Sequence, residues 1–198
     1  MRYILAILLV AVFVGCTTTY PPVTEYRIEA LPKRVNFKQS SCKAHSLKVS
    51  QVFVKSALMS KKMKYVVNAY EEYAYNQSEW AEDPNKAITD VLVSDLEQTG
   101  IFDTVTSYKS FSSSDYTLEC RIADFTQYFT ENEKHSFVKI AMTFTLIDNK
   151  TAKVIATKTI QDKMDTKQAD AKSGVVALNR LLQKSLVSLN SWLAGSCR

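Results

Sequence analysis

Four cysteines and two histidines carry most of the reactive chemistry available to this chain of 198 residues. Cys42, Cys120 and Cys197 are thiols that oxidation could pair, whereas Cys16 stands apart, directly after Val14-Gly15 at the end of an apolar run. Cys42-Lys43-Ala44-His45 offers one sulfur and one imidazole to a metal, but a zinc site needs three or four such ligands and no second pair lies near. Neither His45 nor His135 has a nucleophile beside it. The Ser112-Ser113-Ser114 run lacks the Gly-x-Ser-x-Gly turn that lifts a catalytic serine out of a sheet. Glu71-Glu72 and Glu131-Asn132-Glu133 pair carboxylates as acid–base chemistry would require, yet such pairs at a turn or strand edge are normally solvated. With only four glycines, and no P-loop, dinucleotide fingerprint or His/Glu metal motif, the chain reads as a non-enzyme without metal or cofactor.

The one modification the sequence does specify is at its start. Met1-Arg2-Tyr3 is a short positive segment, Ile4 to Val14 is unbroken apolar, and small or β-branched residues precede Cys16, the order of a secretory signal. The run is too short to cross a bilayer as a helix, which takes roughly 20 apolar residues. The cysteine at the cleavage point makes the segment similar to a bacterial lipobox, although Phe13 departs from the leucine such a box favours. In that reading residues 1–15 are a lipoprotein signal peptide and Cys16 becomes the acylated first residue. The alternative is an ordinary signal peptide with an incidental cysteine. Several acyl chains, at about 0.8 kcal/mol per buried CH₂, make a stable anchor where one chain does not. Thr17 in place of aspartate points to the outer membrane of a Gram-negative cell, with the protein facing the periplasm. Residues 16–25, with Pro21-Pro22, read as anchor and extended spacer.

Residues 26–198 are enough for a single domain with a real core. The formal charge is +5, of which Arg2 in the leader supplies one unit, and an exported chain of such modest charge argues against a nucleic-acid partner. If Cys16 is lipidated, three thiols remain in an oxidising compartment. Cys120 alternates with Leu118 and Ile122 and points to the core, so Cys42 and Cys197 are the candidate disulfide. In the chain-entropy model so long a loop is worth roughly 4–5 kcal/mol, though the sequence leaves open whether the two meet.

Strands are expected at Tyr26–Leu31, over Leu47, Val49, Gln51 and Phe53 on one face, and as a hairpin at Met63–Val67 and Tyr70–Tyr75. Asp83, which can cap free amides, and Pro84 open a helix whose Ile88, Val91, Leu92 and Leu96 share a face and which Gly100 ends. Phe102–Tyr108 is a short strand. Asp115–Phe129, Phe137–Ile147 and Lys153–Met164 form a meander, with a bulge where the apolar phase shifts between Ile122 and Phe125. Asp170–Leu193 is a second helix with Val175, Leu178, Leu182, Leu186, Leu189 and Leu193 on its buried stripe. The expected fold is α+β: a two-layer sandwich in which a largely antiparallel or mixed sheet carries two main helices on one face.

Met63-Lys64-Tyr65-Val66-Val67, Tyr73 and Tyr75, Glu79-Trp80-Ala81-Glu82-Asp83-Pro84, the helix, and Thr99-Gly100-Ile101-Phe102-Asp103-Thr104-Val105 follow one another in that order. This block, with the lipobox and Tyr26-Arg27-Ile28-Glu29, resembles the ABC-type transport auxiliary lipoprotein component family over about Tyr26 to Met164. The resemblance implies a non-catalytic subunit that docks on a substrate-binding protein of the mammalian-cell-entry (MCE) type and, through it, on an ABC permease and ATPase. Such systems carry lipid or other hydrophobic molecules. Tyr70, Tyr73, Tyr75 and Asn76 are the candidate partner interface, because aromatics are enriched at interface hot spots, although the tyrosines suit a half-buried strand equally well. Trp80 reads as packing beneath the helix start. Whether the domain is a monomer or a homo-oligomer stays open. The rival readings are a lipoprotein that activates or scaffolds an envelope-assembly or cell-wall-synthesis enzyme, and a carrier that holds an acyl chain between sheet and helices.

Overall fold

A computed structural model of the chain describes residues 21–30, 37, 40–68 and 70–197. In chain order the elements are β1 (Thr24–Tyr26), β2 (Ser46–Val49), β3 (Phe53–Val54), a 3-10 turn (Ser56–Leu58), β4 (Lys62–Val67), β5 (Glu71–Trp80), α1 (Pro84–Thr99), β6 (Thr104–Ser107), β7 (Tyr116–Phe129), β8 (Ser136–Asp148), β9 (Lys153–Asp165) and α2 (Ala171–Leu193). Among the described residues all nine strands belong to one mixed sheet. On one side β7 pairs antiparallel with β8 from Tyr116 to Phe129, and β8 pairs antiparallel with β9. On its other side β7 takes three short parallel strands in succession: β2 at Tyr116–Leu118, β3 at Arg121–Ile122 and β4 at Gln127–Phe129. β6 extends β2 in parallel, β5 is antiparallel to β4, and β1 is parallel to the end of β5.

Alternation fixes which face meets the helices. Along β8, Val138, Ile140, Met142, Phe144 and Leu146 are buried and the residues between them only half so. The β7 register slips between Ile122 and Asp124, and that bulge keeps Phe125 and Gln127 on the same side as Leu118, Cys120 and Ile122. α2 lays Val175, Leu178, Leu181, Leu182, Leu186, Leu189 and Leu193 on this surface. Each such side chain contributes roughly 1.5–3 kcal/mol by leaving water. The Asp170 side chain accepts the Ser173 N–H at 2.6 Å and so caps the helix. Gly100 closes α1 at φ 64°, a left-handed conformation that a side chain resists.

Three local expectations are corrected. The first strand lies at Thr24–Tyr26, not Tyr26–Leu31, because after Tyr26 the chain turns to α2, where Asn179 donates to the Arg27 carbonyl and accepts the Glu29 N–H. The strand expected through Leu47 to Phe53 is split. The Ser50 N–H goes to the Leu118 carbonyl and the Val52 N–H to Thr89 Oγ1, so the phase slips by one residue; Val52 is buried and Phe53 is 57% exposed. Asp83 leads into α1 without capping it by its side chain, whose carboxylate instead holds Lys86 at 2.7 Å.

Polar contacts set how the layers register. Gln127, buried, accepts from Tyr75 Oη at 2.9 Å and donates through Nε2 to Ser136 Oγ at 2.9 Å and to the Asp170 carbonyl at 3.1 Å. Gly174 makes room for it: a Cβ there would overlap the Gln127 amide. Cys42 and Cys197, 155 residues apart, are joined by a disulfide with Cα atoms 5.0 Å apart, and the Ser41 N–H binds the Ala194 carbonyl beside it. Cys120 is a buried free thiol whose pKa burial pushes up. Between the helices Asn190 Nδ2 donates to Asp95 Oδ2 at 2.7 Å, with both residues buried.

Two predictions follow from these contacts. Alanine favours a helix over glycine by about 1 kcal/mol, but overpacking costs about 1–3 kcal/mol. Gly174→Ala is therefore expected to lower the melting temperature of the wild type and to leave it unchanged or raise it in a Gln127→Ala background, as a double-mutant cycle would read. The second concerns Asp95, whose pKa is raised from 3.8 mainly by burial, partly offset by the Asn190 hydrogen bond. A carboxyl with a raised folded-state pKa contributes stability that is complete below the unfolded value and lost as pH rises through the folded one. Asp95→Asn should remove that loss. Its melting temperature relative to wild type is expected to climb as pH rises from below 3.8 towards neutrality.

Candidate partner interface

One end of the sheet is paved with aromatic rings. There the β4–β5 hairpin meets the C-terminal end of β7, because Tyr65 pairs with Tyr73 on one side and with Gln127 on the other. On the helix side, the Tyr65 ring stacks on Tyr73 at 5.6 Å, lies 4.6 Å from Tyr75 and meets Phe129 edge-on at 5.1 Å. Pairs at these distances add about 0.5–1.5 kcal/mol each beyond their burial. α2 starts level with Gln127, and Tyr73, beyond it, is 47% exposed. On the outer face Tyr128 stacks on Phe137 at 5.5 Å, and the Lys139 ammonium sits 4.4 Å from the Tyr128 ring centre. At the hairpin turn, where Asn68 takes φ 61°, Tyr70 is 97% exposed.

Polar partners hold this end rigid. Glu72 is 2.6 Å from Lys64 Nζ, and Glu71 accepts from Tyr73 Oη at 3.2 Å. That hydrogen bond and the charge of Glu71 raise the Tyr73 pKa; burial raises that of Tyr75 far more. Burial, followed by the hydrogen bond to Asp124 at 2.7 Å, raises that of Tyr128. All three phenols stay protonated at physiological pH and act as hydrogen-bond donors.

The residues singled out in the sequence divide here. Tyr70 and Tyr73 face solvent, and Asn76 is exposed on β5. Tyr75 is half-buried, its ring on Tyr65 and its hydroxyl on Gln127, so it braces the hairpin from within. Trp80 is buried with its ring 6.1 Å from Phe125. The list omitted Tyr65, Phe129, Tyr128, Phe137 and Lys139, which join the cluster only through the β4–β7 and β7–β8 registers. The leader, Cys16 and the spacer up to residue 20 lie outside the described residues.

Elsewhere the surface carries clefts. A cleft of about 800 Å³ lies between Arg27–Ala30 and α1, with Glu82, Asp90 and Asp95 on its wall. Another of about 810 Å³ runs between β9 and α2, past Lys158, Arg180, Lys184, Val187 and Trp192. The space enclosed beside Trp80, Phe125 and Leu178 is about 20 Å³, room for about one water and far below an acyl chain. His45 Nδ1 lies 3.9 Å from Asp115, whose carboxylate accepts from the Ser46 N–H and hydroxyl, both at 2.8 Å. Among the described residues no three His, Cys, Asp or Glu side chains converge to hold a metal. No helix among them is long and apolar enough to cross a membrane.

The crystal structure of protein XCC0632 from Xanthomonas campestris, of the DUF330 family, is similar to this chain with a TM-score of 0.74. The identity is 16%, over 88% of this chain and 95% of that one. A crystal structure of an uncharacterized protein matches with a TM-score of 0.68 and 14% identity, over 87% of this chain and 99% of that one. Likeness at such identity shows the fold alone. No curated protein matches the chain in sequence. The model of one family does match, over residues 26–189, from β1 almost to the end of α2. That stretch takes in the aromatic hairpin, α1 and the whole meander, and the chain belongs to the ABC-type transport auxiliary lipoprotein component family.

Proposed function

We propose that the protein is a non-catalytic subunit of an ABC transporter of the MCE type. Anchored at Cys16, it docks on the MCE substrate-binding protein and supports the passage of lipid or another hydrophobic molecule across the periplasm. The permease and the ATPase are separate chains, so this one needs an anchor, a spacer and a rigid contact surface, and no reacting group of its own. One observation carries the docking: Tyr70 and Tyr73 are exposed on a hairpin that the Tyr65–Tyr75–Phe129 cluster and Gln127 hold from beneath. A large aromatic on a rigid element binds at little cost in conformational freedom, and interface hot spots are built in that way.

The test is a pull-down of the lipoprotein from detergent-solubilised membranes, with the bound proteins identified by mass spectrometry. Recovery of an MCE-domain protein with its permease and ATPase is the expected result. Recovery of a cell-wall synthase and no transporter subunit would overturn the reading in favour of an activator. Losing two hot-spot aromatics costs at least about 2 kcal/mol, and 1.4 kcal/mol is a factor of ten. Tyr70→Ala with Tyr73→Ala should therefore cut the recovered MCE protein at least tenfold at unchanged melting temperature. Tyr75→Ala should instead lower the melting temperature.

A further inference from the structure

The sheet extends one strand beyond the cover of the helices. On its helix side β8 is buried from Val138 to Leu146, whereas Ala156, Lys158, Ile160, Asp162 and Met164, their neighbours on β9, are only half-buried. That face of β9 and the outer flank of α2 form the two walls of the cleft of about 810 Å³. From Arg180 to Trp192 its helix wall is roughly 18 Å long, at the helical rise of about 1.5 Å per residue. Clefts of this size are the kind that hold small molecules.

The charge of the cleft is one-sided. α2 carries Lys172, Arg180 and Lys184 and no acidic residue. On the helix side of β9 the one carboxylate is Asp162, which Lys184 holds at 2.6 Å; Asp165 is in line with Phe137 on the outer face. Lys158 and Arg180, one on each wall, have no ion-pair partner among the described residues. In the same set the Trp192 indole N–H and the Ser188 hydroxyl, also on the wall, donate to no acceptor. The Trp192 ring and Val187, 39% exposed, give the cleft an apolar stretch. An aromatic ring with an unpaired N–H suits a boundary between hydrocarbon and charge.

We propose that this cleft binds one molecule of an anionic amphiphile, its acidic headgroup held by Lys158 and Arg180 and its hydrocarbon against Val187 and Trp192. A guanidinium takes a phosphate or carboxylate in a fork of two N–H bonds, and an ammonium adds a point charge. The two unpaired cations give the site its sign, and no free carboxylate on either wall opposes them. The assignment rests on the reading above for a hydrophobic cargo and adds an acid group to it. Its residues are separate from the aromatic end. Failure of the cleft would leave the docking standing, and failure of the pull-down would leave the cleft.

The experiment is a fluorescence titration of the full lipoprotein held in phosphatidylcholine nanodiscs. Of the chain's two tryptophans Trp80 is buried and Trp192 lines the cleft, so a ligand there changes the emission of Trp192. The probes are monomeric dihexanoyl phosphatidylglycerol, dihexanoyl phosphatidylcholine, which has no net charge, and inorganic phosphate, which has no tail. Phosphatidylglycerol is expected to bind at least about tenfold more tightly than either of the others, and less tightly as salt is raised. Lys158→Gln with Arg180→Gln should weaken it at least about tenfold at unchanged circular dichroism, because two charge-assisted hydrogen bonds are lost. Trp192→Phe should abolish the emission change. No response to phosphatidylglycerol, equal binding of either other probe, a double variant that binds as wild type does, or a change that survives Trp192→Phe would each overturn the proposal.

Discussion

The two-sided ladder of β7 is the constraint on which the rest depends. One long neighbour, β8, is locked to it over its whole length, and three short strands share the opposite edge by dividing that length among them. None of the three could stand alone, since strands of two to six residues bury too little to fold independently. Their order along β7 fixes everything attached to them. β6 and α1 go to the end where β2 docks, and β5 and β1 go to the end where β4 docks. The bulge after Ile122 keeps this shared strand facing one core; without the extra residue Phe125 and Gln127 would point away from α2.

Apolar burial holds α2 on the sheet but leaves its sliding position soft, because leucines on a stripe can be exchanged by a turn. The specific contacts lie at its two ends. At the start, Gln127 reaches the last carbonyl before the helix and occupies the gap beside Gly174. At the finish, the disulfide between Cys42 and Cys197 and the Ser41–Ala194 hydrogen bond pin the tail to the segment leading into β2. Between them, the Asn190–Asp95 contact sets α1 against α2. A buried carboxyl is costly unless it is protonated or well bonded, so this contact trades stability for a defined helix pairing.

What the sequence disclosed follows from the range of the signal. The alternation of β8, the leucine stripe of α2, Gly100 after α1 and the phase shift between Ile122 and Phe125 are local patterns, and each was legible. The parallel docking of β2, β3 and β4 on β7 was not, since no local period records which distant strand supplies the other half of a ladder. The same reason hid the full aromatic cluster. Tyr70 and Tyr73 announce themselves within one hairpin, whereas Tyr65 meets Phe129, and Tyr128 meets Phe137, only through pairing across the sheet. The break between β2 and β3 was missed because Thr89, from α1, takes the amide that a continuous strand would have used.

Chain geometry also limits where the aromatic end can work. β1 is parallel to β5, so the chain enters it from the side of Tyr75 and Gln77, the end at which Tyr70 and Tyr73 are exposed. At most about 3.6 Å of reach per residue is available to an extended chain, so the five residues from Cys16 to Pro21 allow roughly 18 Å. With the anchor proposed at Cys16, Pro21 stays within that reach of the lipid surface. On that reading the tether and the candidate contact surface lie at the same end of the sheet.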